Sequence, residues 1–211
     1  QQQQQQQLQT DRGRDKNEKW RRKLIENNGL VYVRNFLPAD EFEVVRLGSE
    51  RLRGRLQREK NSTAVARLCA FVQRESEVTS LIMNHAVAAR LSRMLGEPLV
   101  PSDFPLEYRM YPIGASMGWH QDEALYEDPQ YEMVFTLENS SDSVTQWVDA
   151  GGRVQEEWTE PNSLLIVRAE AAVHRVTPVR RGERSILKFL FFPASSAKDD
   201  AAFSRNLSSY I

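Results

Sequence analysis

A chain of 211 residues with 40% hydrophobic side chains has the material for one core of ordinary domain size. Lys and Arg number 28 against 29 Asp and Glu, so no overall field draws the protein to nucleic acid or to an anionic membrane surface. No apolar run approaches the roughly 20 residues of a membrane-spanning helix, and the N-terminus lacks the charged-then-apolar order of a secretory signal.

A soluble, intracellular protein with no membrane partner is therefore expected; because the chain does not begin with Met, an upstream targeting segment is left open. The single cysteine, Cys69, cannot form an internal disulfide and reads as a buried structural thiol within STAVARLCAFV. Three N-x-S/T sequons, at Asn61, Asn139 and Asn206, read as chance matches in a Ser-rich sequence.

Gln1 to Gln7 is a homopolymeric tract with no apolar content to bury, and residues 1–10 are expected to form a disordered Gln-rich tail. From Asp11 to Asn27, Trp20, Leu24 and Ile25 recur at near-helical spacing, and Asn28-Gly29 supplies a stop. Leu30 to Phe36 reads as a short strand. A second helix is expected from Asp40, as cap, through Lys60, carried by Phe42, Val45, Leu47, Leu52 and Leu56. A third is expected from Glu75 to Leu95, closed by Gly96 and Pro98. It contains His85, which has no second ligand type three or four residues away and reads as a packed or surface histidine.

After Pro98 the texture changes to short β-type runs between turn residues: PLEYRMYPI, MGWHQDEAL, EMVFTLEN, SVTQWVDA, NSLLIVRA, AVHRVTPV and RSILKFLFF. Strands at this spacing indicate a sandwich or jelly roll rather than a parallel sheet. The expected architecture is thus α+β, with residues 11–97 as a helical N-terminal layer, 98–193 as a β core in the same domain, and 194–211 as a peripheral C-terminal tail partly ordered by Phe203 and Tyr210.

The chemistry starts in GWHQDEALY, Gly118 to Tyr126. On a strand, residues two apart share a face, so His120 and Asp122 can offer a nitrogen and a carboxylate oxygen to one point. H-x-D alone arises by chance on any half-polar strand. A facial arrangement of two histidines and one carboxylate, which suits Fe(II), needs a third ligand. His174, in AVHRVTPV, is the remaining strand histidine.

The segment after His174 is more specific. HRVTPVRRGERSILKFLFF joins a strand, a turn with Pro and Gly, and a second strand that opens with Arg184, ten positions after the histidine. With the Y-x-x-G of YPIGASMGWHQD, the region from Tyr108 to Phe192 resembles the Fe(II)- and 2-oxoglutarate-dependent dioxygenase superfamily, in its prolyl 4-hydroxylase-like branch. The resemblance implies a double-stranded β-helix (jelly roll) core, with Fe(II), 2-oxoglutarate and O2 as cofactor and cosubstrates and ascorbate as reductant. It implies His120, Asp122 and His174 as iron ligands and Arg184 as the residue that grips the distal carboxylate of 2-oxoglutarate, a task suited to a planar guanidinium fork.

A simple hairpin would leave Arg184 about five residues, ~16 Å, from His174 along the strands. The family's fold instead places those strands in opposing sheets whose inward residues face one cavity. Arg175 should face away from His174, and Arg180 and Arg181 fall in the turn, so all three are expected to be solvated. Tyr111 is expected either to donate its phenolic hydrogen bond to the cosubstrate or to sit buried on a backbone partner.

Candidate substrate-lining residues are Trp119, Glu123, Tyr126 and Tyr131, near the metal strand and in EALYEDPQYE, with Thr136 and Asn162 as further candidates. The implied reaction is hydroxylation of a C–H bond of a peptidyl residue, with release of succinate and CO2. Halogenating relatives have a small residue where Asp122 stands, so its carboxylate argues for an oxygenase outcome. The family's Gly-Gly-Glu-Leu stretch is replaced here by VTQWVDAGGRVQEEW, and substrate-side details do not carry over.

Three alternatives stand beside this. The same chemistry could act on a free amino acid or other small-molecule substrate, by hydroxylation, desaturation or cyclisation. A non-catalytic cupin-like binding protein would form no succinate. A nucleic-acid demethylase would want a basic phosphate-tracking face, which the charge balance disfavours. Oligomeric state is open.

Overall fold

Two antiparallel sheets contribute to one interior in the computed structural model, which describes residues 17–60 and 63–208. Strands are numbered along the chain. The larger sheet runs β1 (Leu30–Val33), β11 (Ser163–Arg168), β8 (Tyr131–Asn139), β13 (Arg184–Pro193), β6 (Glu107–Tyr111), β4 (Leu68–Phe71), β2 (Gln57–Arg58), and β5 (Leu99–Pro101) also pairs with β13. The smaller runs β10 (Val154–Glu157), β9 (Thr145–Val148), β12 (His174–Val176), β7 (Ser116–His120), β3 (Ala64–Val65). The expected double-stranded β-helix is present, with β12 and β13 in opposite sheets as the resemblance implied.

Helices cover the outer face of the larger sheet. They are α1 (17–26), α2 (Ala39–Glu50), α3 (Glu77–Ile82) and α4 (His85–Leu95), with α5 (Asp200–Ser208) at the C-terminus. Val45, Ile82, Leu91 and Leu95 from the helices pack with Val31, Phe135, Leu164, Ile166, Leu187, Phe189 and Phe191 from the sheet. Period-two alternation explains the sorting: Leu187, Phe189 and Phe191 point to the helices while Arg184, Ile186 and Lys188 line the interior cavity. Each fully buried Leu or Phe contributes roughly 1.5–3 kcal/mol.

Several expectations need correction. The second helix ends at Glu50, and its N-cap is Pro38, so Asp40 lies in the first turn and caps nothing. Leu52 and Leu56 still reach the core, but from a 3-10 turn at Arg53–Arg55 and the approach to β2. The third helix is two: Asn84 adopts an extended conformation and its side chain accepts from Val87 N at 2.9 Å, capping α4. Asparagine competes with the helical backbone in this way, which favours a break over continuation. Gly96, at φ 89, closes α4 as expected, and His85 is exposed at its start.

The segment 11–97 is not purely a helical layer. It supplies β1 at one edge of the larger sheet, β4 and β2 at the other, and β3 to the smaller. Nor is the C-terminal segment only peripheral. Ala202 is buried, and Phe203 packs edge-on against Phe104 at 5.1 Å beside Tyr126, Leu190 and Phe192. The Gln-rich tail, Asn61 and Tyr210 lie outside the described residues. Among the described residues no helix is long and apolar enough to cross a membrane.

The turn between β12 and β13 has little latitude. Gly182 has φ +66, and an added Cβ would lie 2.3 Å from the Ser140 carbonyl oxygen. Gly182→Ala should therefore lose at least about 1 kcal/mol of stability; an unchanged urea midpoint would contradict this. Cys69, on β4, donates its thiol hydrogen to Glu107 Oε2 at 3.6 Å, and burial, reinforced by the Glu107 charge, pushes its pKa up to about 12. The thiol should stay protonated at pH 8 and react with iodoacetamide slowly until the chain is unfolded in urea; fast alkylation of the native protein would refute the assignment.

Candidate metal centre

Strands β7 and β12 are neighbours, with His120 opposite His174 and ring centroids 4.2 Å apart. Each Nδ1 lies on a carbonyl two residues earlier, His120 on Gly118 at 2.9 Å and His174 on Ala172 at 3.0 Å. A carbonyl only accepts, so each Nδ1 carries a proton and Nε2 is the nitrogen of each ring turned towards Asp122. Burial, with His174 close by, pushes the His120 pKa down to about 4, so the ring is a neutral donor at neutral pH.

Asp122 completes the cluster from an unexpected place. β7 ends at His120, so the carboxylate comes from the following loop rather than from the strand face. Its Oδ1 is 3.8 Å from His120 Nε2 and its Oδ2 is 3.5 Å from His174 Nε2; one atom from each of the three side chains lies within 4.8 Å of the others. Burial alone would raise the Asp122 pKa, but the fields of His174, Lys188, His120 and Arg109 together hold it below the usual carboxylate value. Two imidazole nitrogens and one carboxylate are a donor set that fits a divalent transition metal.

The same cavity is lined by Arg184, Tyr111, Thr145, Arg67, Arg109, Lys188 and Glu132, with Met117, Val134, Leu165, Val167, Val176 and Ile186 as its apolar wall. Arg184 is 1% exposed and donates to Thr145 Oγ1 at 3.0 Å. Its Nε has no hydrogen-bond partner and no carboxylate pairs with it among the described residues. Burial lowers its pKa, against the opposing effect of Tyr111 and Tyr32. An unpaired buried guanidinium is costly unless an anion answers it. The other cavity cations are answered already: Arg67 by Glu59, Arg109 by Glu107 at 2.7 Å, Lys188 by Glu132 at 2.6 Å.

Tyr111 is buried, with its hydroxyl oxygen accepting from Arg67 Nη1 at 2.9 Å. Its partner is thus a side chain rather than backbone, and its own proton remains to be donated. Arg175 faces away from His174 and lies 4.6 Å over the Trp119 ring. Arg180 and Arg181 sit exposed in the turn, their backbone N–H groups donating to Asp142 Oδ1.

None of the expected substrate-lining residues borders the cavity. Trp119 is 39% exposed on the face opposite His120, as alternation along β7 dictates. Glu123 is exposed and paired with Arg205 at 2.9 Å. Tyr126 folds back towards the C-terminal segment, stacked on Phe192 at 4.0 Å with its hydroxyl 2.6 Å from Ser102 Oγ. Tyr131, next to the inward Glu132, points to the helix side and donates to Glu97. Thr136 shares the inward parity but donates to Thr159 at 2.9 Å. Asn162, at φ 60, is occupied with Leu37 N and O.

Sequence reasoning passed over the three inward ion pairs. Their signal was alternation in EYRMY, which puts Glu107, Arg109 and Tyr111 on one face, and in RSILKFLFF, which puts Arg184 and Lys188 together.

No family model matches the chain. Residues of the chain are 24% identical over 139 positions to a PKHD-type hydroxylase of Synechococcus sp. strain CC9605, covering 61% of this chain and 61% of that protein's length. The fold is similar to that of a prolyl hydroxylase from Trichoplax adhaerens in complex with a peptide of the hypoxia inducible factor oxygen degradation domain, at TM-score 0.70 and 14% identity over 94% of this chain and 96% of that one. It is also similar to SnoN, a non-heme alpha ketoglutarate dependent epimerase from nogalamycin biosynthesis, at TM-score 0.72 and 14% identity over 86% and 82%. The chain has the jelly-roll fold of the Fe(II)- and 2-oxoglutarate-dependent oxygenases, and its likenesses bear out the resemblance to that superfamily and to its prolyl 4-hydroxylase-like branch.

Proposed function

We propose that the protein is an Fe(II)- and 2-oxoglutarate-dependent oxygenase that hydroxylates a C–H bond of a peptidyl residue and releases succinate and CO2. The observation that carries this reading is the pairing, in one cavity, of the His120–Asp122–His174 cluster with a buried Arg184 that lacks a carboxylate. His120, Asp122 and His174 would hold the iron, and Arg184 the far carboxylate of 2-oxoglutarate. When bound, iron and 2-oxoglutarate supply the oxidising power, through oxidative decarboxylation of the oxoacid with O2.

The chain's own contribution is fixed by its side chains. The two Nε2 atoms are presented by rings that backbone carbonyls hold in orientation. Asp122 brings the one negative charge of the cluster. Thr145 holds one arm of the Arg184 fork and leaves Nε for an anion, while Tyr111 has a hydroxyl proton to donate to the same ligand. Val134, Leu165, Val167 and Ile186 keep water from the reacting end.

A peptidyl substrate is supported by the peptide complex of the Trichoplax prolyl hydroxylase, and hydroxylation also by the PKHD-type hydroxylase. A second reading, oxygenation of a small molecule, draws on SnoN, which has been solved in complex with Fe3+, alpha ketoglutarate and nogalamycin RO. Anaerobic addition of Fe(II) and 2-oxoglutarate should produce a metal-to-ligand absorption band, and admission of O2 should yield succinate, raised by the true substrate among peptide and small-molecule panels. Absence of both band and succinate would overturn the assignment. Arg184→Ala should weaken 2-oxoglutarate binding by about 30-fold or more, the loss of a charge-assisted pair of ~2 kcal/mol, with iron affinity nearly unchanged. Unaltered affinity for 2-oxoglutarate would remove Arg184 from the site.

A further inference from the structure

Asp122 has no strand ladder to fix it, since the loop from Gln121 to Gln130 begins where β7 ends and leads into β8. One backbone and one side-chain bond hold its outer rim: Asp122 O accepts from Glu170 N at 3.0 Å, and Gln121 Nε2 donates to Ala171 O at 2.8 Å. Inside the loop one side chain does the holding. Gln130 is 0% exposed, its Oε1 accepts from Leu125 N at 2.8 Å, and its Nε2 donates to Glu123 O at 3.0 Å and to Glu132 Oε1 at 3.2 Å.

The buried amide thus has its acceptor and donor both engaged, and each bond has a distinct effect. The first two hold the chain on either side of Ala124, just after Asp122. The third ties that stretch to Glu132, whose other oxygen is paired with Lys188 on the cavity face of β13. A continuous set of hydrogen bonds and one ion pair therefore runs from the residue following Asp122 to the strand that carries Arg184. The histidines need no such device, because the ladder between β7 and β12 already sets their backbones opposite each other.

We infer that Gln130 is a positioning residue for Asp122: it sets the loop so that the carboxylate meets the two Nε2 atoms, and so sets metal affinity without touching the metal. The inference rests on the reading of His120, Asp122 and His174 as a metal site. A glutamine that served only the core would affect stability and leave metal affinity alone.

The test uses Co(II) alone as the probe, titrated anaerobically into the purified full chain and followed by its visible absorption, beside thermal unfolding of each metal-free variant. Gln130→Met keeps the length of the side chain and removes all three bonds. It should weaken Co(II) binding about 10- to 100-fold, the range for loss of a group that orients a ligand. Leu91→Ala, in the helix layer behind the larger sheet, supplies a destabilised control that should bind Co(II) within about twofold of wild type. If Gln130→Met does not fold, Gln130→Glu keeps the acceptor for Leu125 N but sets a carboxylate against Glu123 O and Glu132, and should also weaken binding.

Wild-type affinity in whichever of these two variants folds would overturn the positioning role. So would an equal loss in Leu91→Ala, which would reduce the effect to general destabilisation. A wild-type chain that binds no Co(II), or an Asp122→Ala chain that binds it as wild type does, would overturn the metal reading itself, and is distinguishable because it needs no Gln130 variant to be seen.

Discussion

Alternation along β13 is the constraint on which both halves of the molecule depend. One strand of ten residues separates an apolar layer from a charged cavity, with Leu187, Phe189 and Phe191 on one side and Arg184, Ile186 and Lys188 on the other. A register slip of one residue would drive Lys188 into the helix layer and expose two phenylalanines to the cavity, so packing alone specifies the register. The irregularity between Ser185 and Ile186, where β13 pairs with β8, falls next to Arg184, which keeps its pairing with Tyr111 on β6. The position of the guanidinium is thereby inherited from the hydrophobic core.

Burial of so many charges would be ruinous if they were isolated. An ion removed from water costs several kcal/mol unless a partner and further hydrogen bonds answer it. Arg67, Arg109 and Lys188 each have a carboxylate, and the set forms a band across the inner face of the larger sheet. Arg184 is the member of the band without one among the described residues, and it is also the most deeply buried cation of the four. The contrast matters more than the burial. A fold able to pair three cations inside its cavity leaves the fourth without a carboxylate among the described residues.

The sequence made part of this legible and hid the rest for physical reasons. His120, Asp122 and His174 stood out because they are rare residue types on β-type runs, and the turn before Arg184 is marked by Pro178 and Gly182. The crossing of β12 and β13 between sheets was implied by the family resemblance, and distance spoke only against a simple hairpin, which could not bring Arg184 near His174. The break at Asn84 was missed because Val78, Ile82, Val87 and Leu91 keep an apolar rhythm that hides the interruption between α3 and α4. The aromatic residues near the metal strand misled because proximity in sequence was weighed above parity: Trp119 and Tyr131 each adjoin an inward residue and must therefore point outward. Glu132 lies 56 residues before its partner Lys188, and no local pattern announces that pair, whereas Glu107 and Arg109 are two residues apart on one strand face.

The three candidate ligands are held by different means. The two histidines come from paired strands, each ring tied to the backbone two residues earlier, so their geometry survives as long as the smaller sheet does. The carboxylate comes from a loop gripped from inside by Gln130 and from outside by the C-terminal segment, where Glu127 N donates to Ala197 O, Asp199 N to Leu125 O, and Arg205 pairs with Glu123. Loops held by a few specific bonds open more readily than ladders do. The integrity of the cluster therefore depends least on the strands that carry most of it and most on ten residues that lie between them, packed against an end of the chain whose composition alone suggested a tail.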